Sequence, residues 1–470
     1  MLQPDEEEVA MNDSRTGGHA VVLGGSMAGL LAARVLADTY HRVTVVERDA
    51  LETSAGPRRG VPQGRHIHAL IARGQRNLDE LFPRFTEELT AAGVPTLDQL
   101  RDARLYFNGH RLAKATSGVV VLSASRPCLE SHVRERVRAL PGITFTDRRD
   151  VLGLVTTPDR RRVIGARLIP RVDGGAAETL PADLVVDAAG RGSRLPIWLD
   201  ALGYGRPAED KVATGVMYAT AIFRLRPGAL GRERAVIAAP SPAHQRGAGL
   251  APIEGQRHIV TLMGMLGDRP PTDRAGFRDF AKSLSISDVY DAIADAELLD
   301  DPVAFGFPAS VRRRYERMRR FPDGLLVIGD AICSLNPIYG QGMGVAAIEA
   351  LTLREHLSRG REPCPGKVLR DLAKDIDVPW DMAVGADLAF AGVAGRRTAK
   401  TRVANAYIPR LHAAAAHDAT LATEFLRVAG LVAPPGALLR PGVVMRVLKH
   451  TLRPNRHAAD GHSTAGAHLG

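Results

Sequence analysis

The chain has few of the residues from which several common kinds of site are built. Three cysteines, Cys128, Cys333 and Cys364, occur in 470 residues and stand far apart. They form neither a disulfide framework nor a Cys-x-x-Cys metal site, so no metal is expected and a reducing, cytoplasmic setting fits. Aromatic residues are 5% of the chain, with two tryptophans, Trp198 and Trp380. That scarcity bears on the charge. Lys and Arg (62) outnumber Asp and Glu (52), for a formal net charge of +10. Yet the arginine clusters at 160–162, 312–314 and 317–320 lack interleaved aromatics, and read as solvated faces rather than a nucleic-acid surface. Apolar runs are short as well. Ala20–Ala33 is glycine-rich, too brief for a bilayer and followed at once by Arg34, so no integral membrane contact is expected. Residues 1–18, with Glu6-Glu7-Glu8, are acidic and polar and lack the basic start and apolar run of a secretory signal. No Ser/His/Asp set and no two-carboxylate set announces itself. Hydrophobic content of 45% allows a large core, and the length suggests about two to four domain-sized units.

What is present starts with His19-Ala-Val-Val-Leu-Gly-Gly-Ser-Met-Ala-Gly29. Ala20 to Leu23 read as a buried strand. Gly24, Gly25, Ser26 and Gly29 make a small-residue turn, and from Met27 the apolar positions Leu30, Leu31, Val35 and Leu36 recur at helical spacing. A strand, a glycine turn and a helix in that order aim backbone N–H groups and a positive helix end at one point, which suits a phosphate. The dinucleotide fingerprint wants glycine at three places, held here by Gly24, Ser26 and Gly29. Ser26 departs from the pattern but is small. Next, His41–Val46 reads as a second parallel strand ending at Glu47-Arg48-Asp49. An acid at that strand tip, 18 residues beyond Gly29, is placed to bond a ribose 2′-OH.

Further along, a loop dense in Arg and Gly, Gly56 to His66, precedes a helix expected from about Ile67 to Phe82. His66 and His68 stand two apart and would diverge on a helix, which argues against a metal pair. Arg104 to Ser123 alternate around Asn108-Gly109, a hairpin signal. Ser125-Arg126-Pro127 opens a helix over Cys128–Leu140. Ile143–Val155 and Val163–Pro170 read as strands. Asp183-Leu-Val-Val-Asp187-Ala-Ala-Gly190 is a strand ending in an acid and small residues. From Val212 to Phe307, short alternating runs and one helix, Arg274–Ile286, suit an antiparallel sheet whose apolar face is either a substrate chamber or plain core. A strand at Leu325–Ile328 then ends in Gly329-Asp330, followed by Asn336-Pro337-Ile-Tyr-Gly340-Gln341-Gly342-Met343, which opens a helix and leaves N–H groups for something electron-rich. Residues Pro365–Leu452 read as helical, broken at Pro434-Pro435 and Pro441, with a basic amphipathic stretch from Val443 expected to pack on the body.

These three anchors in order, across residues 18–355, resemble the FAD monooxygenases of the para-hydroxybenzoate hydroxylase type. Arg59-Gly-Val-Pro-Gln-Gly-Arg-His66, Asp187-Ala-Ala-Gly-Arg-Gly-Ser193 and Asn336–Met343 resemble in particular the bacterial polyether- and squalene-epoxidase-like tailoring oxygenases. The resemblance implies an α/β fold, α+β overall. It joins a Rossmann-like FAD-binding domain (18–100, 124–205 and 308–364) to a β-sheet substrate domain (101–123 and 206–307). A helical C-terminal region (365–455) and disordered tails (1–17 and 456–470) complete it.

It also implies roles. Gly24, Ser26, Met27, Ala28 and Gly29 would hold the FAD pyrophosphate, and Glu47, with Arg48 beside it, the adenosine ribose. Arg59 and Arg126 would line the ribityl-phosphate region, and Val151 would meet adenine through its backbone. Gly190 and Asp330 would complete the ribityl and pyrophosphate side. Pro337, Gly340, Gln341, Gly342 and Met343 would face the isoalloxazine N1–C2=O edge. The mid-chain motif reads Asp-Ala-Ala-Gly instead of Asp-Gly, a departure that weakens the case for an NADPH role of Asp187. The implied chemistry is insertion of one O₂ oxygen through a flavin C4a-hydroperoxide into an apolar natural-product substrate, by epoxidation or hydroxylation, in secondary metabolism. Electrons would come from NADPH or NADH, directly or through a separate flavin reductase, since the chain carries one Gly-rich strand–turn–helix unit. Three rivals stand beside this reading. One is a flavin-dependent halogenase, though not the Trp-x-Trp kind. Another is a hydrolase, because Gly24-Gly-Ser26-Met-Ala28 mimics a nucleophile elbow. The third is a non-catalytic FAD-binding protein.

Overall fold

The computed structural model describes residues 17–51, 56–68, 70–172, 175–359 and 362–452. The expected tails lie outside these residues, save Gly17, which begins the first strand. That strand, Gly17–Leu23, is the centre of a five-stranded parallel sheet. Tyr40–Val46 and then Ile143–Thr146 lie on one side of it; Leu184–Asp187 and then Leu325–Val327 lie on the other. Strands buried on both faces need continuous apolar runs, and Ala20–Leu23, Leu184–Val186 and Leu325–Val327 supply them. Because the chain leaves the first strand toward one neighbour and reaches the other much later, the order reverses there. The carboxyl end of a strand at such a reversal opens a crevice, and the glycine turn lies in it.

A second, eight-stranded sheet is mostly antiparallel. Its longest members, Glu209–Arg224 and Glu297–Arg313, pair along most of their length with register shifts. Ala103–Phe107 and His110–Arg111 form a hairpin at one edge. It turns at Asn108 (φ +49°) and Gly109 (φ +77°), the paired left-handed residues of a tight two-residue loop. Cys333–Ser334 forms the other edge, so the chain crosses from the parallel sheet to this one within Gly329–Ser334.

Four boundaries differ from the sequence expectation. The helix after the arginine loop begins at Ala72, not Ile67, because Ile67 N–H donates to Thr261 Oγ1 (3.0 Å) and Leu70 bridges to Leu122. The helix expected over Cys128–Leu140 begins at Arg126, two residues earlier, on its Ser125 cap, which accepts from Cys128 N–H. The single strand expected at 143–155 is two, Ile143–Thr146 in the parallel sheet and Arg149–Thr156 in a small three-stranded sheet. Arg148 at φ +52° makes the break. The helix expected at 274–286 ends at Lys282, and a short one follows at Asp288–Ile293.

The C-terminal helices pack on the body. Pro365–Asp387 lies against the helix Gly342–Leu357 and the core around the parallel sheet, burying Leu369, Leu372, Ile376 and Trp380. Leu411, Leu421, Val443 and Val447 from the later helices join Leu105, Ile253 and Ile259 of the mixed sheet. No helix among the described residues is long and apolar enough to cross a membrane.

Candidate functional site

Gly24 stands at φ +109°, and a Cβ there would meet Ala188 O at 2.5 Å. A Cβ on Gly29 would meet Gly24 O at 1.8 Å, so the helix Met27–Leu36 rests directly on the turn. Geometry therefore demands glycine at the first and third fingerprint positions. At the second, the Ser26 hydroxyl donates to Glu130 Oε2 (2.7 Å) and accepts from Arg126 Nη2 (2.9 Å). Its partners are an acid and an arginine, and no histidine among the described residues bonds it, so the serine–histidine pair of a hydrolase is not formed here.

Glu47 ends the second strand with its carboxylate buried beside this turn. Gly25 N–H donates to its Oε2 (2.8 Å) and Asp49 N–H to its Oε1 (3.0 Å). Arg58 reaches the same place, with Nη1 3.1 Å from Glu47 Oε2 and Nε 2.9 Å from Glu130 Oε1. Its neighbour Arg59 is exposed, as is Arg48. Within the arginine loop, then, Arg58 is the residue turned toward the glycine turn. Arg126, Glu130 and Arg134 lie one helical turn apart on the Arg126–Arg138 helix, and this face carries Glu130 into contact with Arg126 (3.2 Å) and within 3.7 Å of Arg134. Burial alone would raise the Glu130 pKa, but Arg126 and Arg58 outweigh it and hold the carboxyl below its ordinary range. Arg58, Glu130 and Arg134 were not singled out from the sequence. The i, i+4, i+8 spacing of the last two with Arg126 was the available signal.

The late motif meets the early one. A Cβ on Gly329 (φ +65°) would lie 2.5 Å from the Ala28 side chain, so this corner touches the first helix. Gly329 N–H donates to the buried Glu349 Oε2 (2.5 Å). Burial raises the pKa of Asp330, and the nearby Arg126, Arg191 and Arg313 oppose that rise. Arg126 bonds Ser26 and Glu130 directly and acts on Asp330 through its charge alone. Beyond Asp330, Asn336 caps the short turn Pro337–Tyr339, accepting from Ile338 N–H (3.2 Å). Gly340 at φ +66° reverses the chain, and the helix Gly342–Leu357 starts. Its first N–H groups have no acceptor within the helix. Gln341 is buried with Oε1 unpaired among the described residues, Gly342 is exposed, and the Met343 side chain belongs to the core.

Val151 is half-buried in the strand Arg149–Thr156, two residues from Arg149, whose N–H donates to Glu47 O (3.0 Å). Val151 and Glu47, expected on the adenine and ribose sides, thus lie on backbone segments joined by this bond. Asp187 spends both oxygens on its own turn: Oδ1 accepts Ala189 N–H (2.9 Å) and Oδ2 the Ser193 hydroxyl. Gly190 follows at φ +71°. His66 Nδ1 bonds Thr220 Oγ1 (2.7 Å) and His68 Nδ1 bonds His66 O (2.9 Å). Burial, with Arg65 near, pushes His66 down to about 4, so its ring is neutral at pH 7. His66 lies 5.7 Å from the Tyr218 ring and 5.2 Å from Phe305, against the mixed sheet.

A dinucleotide needs a cradle for backbone approach, cations for its phosphates and acceptors for its sugar hydroxyls. The Gly24–Gly29 turn, Arg126 and the carboxylates of Glu47 and Asp330 are of those kinds, so the residues present fit FAD.

The family model for an FAD binding domain matches residues 19–360. Protein Rv3254 of Mycobacterium tuberculosis is 37% identical over 454 residues, spanning 93% of this chain and 94% of that one. Kynurenine 3-monooxygenase of Salinispora arenicola is 29% identical, spanning 72% of each. The structure of the flavin-dependent brominase Bmp2 superposes with a TM-score of 0.63 at 15% identity, covering 88% of this chain and 93% of that one, which is a likeness of fold. The match over most of the chain, together with the glycine turn, Glu47 and Gly329-Asp330 gathered round one crevice, places the chain in the family of FAD-dependent monooxygenases with the para-hydroxybenzoate hydroxylase type of fold.

Proposed function

We propose that this enzyme transfers one oxygen atom of O₂ to an apolar small-molecule substrate of secondary metabolism, by epoxidation or hydroxylation. The observation that carries the reading is the meeting of two motifs about three hundred residues apart: Gly329 of the Gly329-Asp330 corner rests on Ala28, in the helix that opens at the glycine turn where Arg126 binds Ser26. In this reading the Gly24–Gly29 turn with Arg126 and Arg58 holds the FAD pyrophosphate, Glu47 the ribose, and the backbone at Val151 the adenine. Asp330 accepts from the ribityl chain. The N–H groups of Gly342 to Gly344 face the flavin edge, where a helix N-terminus favours the negative charge of the reduced ring. When bound, the flavin supplies the electron storage and oxygen activation. The protein's own part is to orient the substrate and keep water out. An apolar cluster of Tyr218, Met263, Phe307 and Phe390, with Phe305 and Ile338 packed on it, is suited to that and to a substrate with few polar groups. NADPH or NADH is the electron source, directly or through a flavin reductase.

The test identifies the cofactor released on heating and then supplies candidate alkenes and phenols with NADPH, with and without a flavin reductase, under ¹⁸O₂. Products carrying one labelled oxygen support the reading. A halogenated product in the presence of bromide or chloride, or oxidation without label, overturns it.

A further inference from the structure

The helix Pro365–Asp387 ends on a side chain that none of the motifs includes. Asp387 is wholly buried. Its Oδ1 accepts from Asn336 Nδ2 (2.7 Å) and from the Tyr339 hydroxyl (2.8 Å). Its Oδ2 is buried with no hydrogen-bond partner among the described residues. Asn336 is itself 1% exposed, and its Oδ1 accepts Ile338 N–H. One carboxylate oxygen therefore grips both ends of the turn that leads through Gly340 into the helix Gly342–Leu357. The anchor is firm: Arg397 binds Leu388 O (2.9 Å), Phe390 O (3.0 Å) and Val393 O (2.9 Å), pinning the segment that follows.

A buried carboxyl with an unpaired oxygen is an expensive way to hold a loop. An apolar helix end would pack there at lower cost. What Asp387 adds is direction, since two donors from separate residues meet at a single atom. Burial pushes its carboxyl up to about 6, against the bonds from Tyr339 and Asn336 that lower it.

We propose that Asp387 is a positioning residue for the oxidation centre: through Asn336 and Tyr339 it sets the Asn336–Gly342 turn, and with it the first N–H groups of the following helix, against the flavin ring. This rests on the flavin reading above. It assigns a task in the chemistry to the C-terminal helical region, which otherwise is only a packing layer.

The readout is the flavin midpoint potential of the purified holoenzyme, with FAD affinity and thermal midpoint recorded beside it. Aimed N–H groups favour the reduced, negatively charged ring. Asp387→Ala should cost about tenfold in the ratio of affinities for reduced over oxidised FAD, which lowers the potential by about 30 mV for a two-electron couple. Tyr339→Phe removes one of the two donors at nearly constant shape and should move the potential the same way by less. Asp387→Asn keeps an acceptor oxygen for both donors and should stay near wild type. A fall in thermal midpoint with the potential unmoved in both Asp387→Ala and Tyr339→Phe overturns the proposal. A shift in Asp387→Asn as large as in Asp387→Ala also overturns it, since charge and not aim would then be responsible. If Asp387→Ala does not fold, Tyr339→Phe decides alone. Wild-type protein that binds no FAD overturns the flavin reading itself, a result distinct from flavin bound at an unshifted potential.

Discussion

The Ser26 hydroxyl donates to Glu130 Oε2 at 2.7 Å, across 104 residues of sequence. The residue that breaks the glycine fingerprint is thus tied to the acid around which Arg58, Arg126 and Arg134 gather. Three guanidinium groups this close would repel one another without it. A single buried carboxylate holds them together where an anion is to be received.

Removing that carboxylate should destabilise the fold well beyond an ordinary surface change. Glu130→Ala leaves the buried Arg126 and Arg134 without a carboxylate, for an expected loss of about 3–5 kcal/mol in denaturant unfolding. The pH dependence has a definite sign. Burial raises the Glu130 pKa, but Arg126 and Arg58 outweigh it, so the folded value lies below the ordinary 4.5. Its contribution is therefore complete above pH 4.5 and lost as pH falls through the lower folded value. The stability gap between wild type and Glu130→Gln should be largest near neutrality and close in acid. A gap that widens in acid would contradict the ion-pair account.

Glu47 offers a test at the other end of the crevice. Its carboxylate accepts Gly25 and Asp49 N–H and faces Arg58. If it also accepts the ribose hydroxyls, Glu47→Ala loses about 1–3 kcal/mol of binding, or about ten- to a hundredfold in FAD affinity. Fluorescence titration of the apoprotein with FAD measures this. Equal affinity in the two proteins would reject the ribose role.

What the sequence disclosed and what it hid divide on physical lines. Gly24 and Gly29 were legible because their demands are local: a left-handed backbone and a helix seated on a strand tolerate no Cβ. Glu47 and Asp330 were legible because a strand tip fixes where an acid sits. Arg58 was not, because adjacent arginines share their chemistry and the path of the loop alone turns one inward and the other out. His66 and Thr220 are 154 residues apart and Asn336 and Asp387 are 51 apart, so each pairing exists only once sheets and helices have docked. The sequence presents the arginine cluster 312–314 as a solvated face, whereas Arg312 is 1% exposed and reaches Ala373 O and the Asp377 carboxylate on the helix Pro365–Asp387. Part of the apparent basic excess is internal wiring.

Glycines in the two motifs should respond oppositely to the same change. Gly29→Ala forces a Cβ to 1.8 Å from a backbone oxygen, and backbone cannot step aside cheaply. A loss of at least about 3 kcal/mol, or failure to fold, is expected. Gly342 has open space at its Cβ and starts a helix. Gly342→Ala should change unfolding free energy by no more than about 1 kcal/mol. Chemical denaturation of the two variants compares them directly, and equal effects would mean that the turn is not packed as described.

Glu349 gives the most distinctive pH signature, because its carboxyl departs from normal in the direction opposite to Glu130. It lies wholly buried behind the Gly329-Asp330 corner, where Oε2 accepts Gly329 N–H and Oε1 has no partner among the described residues. Burial is the main cause of a pKa pushed from 4.5 up to about 8, with the Gly329 bond lowering it and Asp330 raising it. The folded protein therefore keeps this proton between about pH 4.5 and 8 while the unfolded chain releases it, and folding stability falls as pH rises through that window. Glu349→Gln keeps an oxygen for Gly329 N–H and cannot ionise. Relative to wild type it should gain stability from pH 5 to 8, by at most about 1.4 kcal/mol per pH unit, with little difference below pH 4.5. Glu349→Leu removes the acceptor as well, so it should share the flat pH response yet lie about 1–3 kcal/mol below Glu349→Gln at every pH by orphaning the Gly329 N–H. Denaturant midpoints across pH 4 to 8 separate the two effects. Parallel curves for wild type and Glu349→Gln would mean that Glu349 is ionised in the fold behind the Gly329-Asp330 corner.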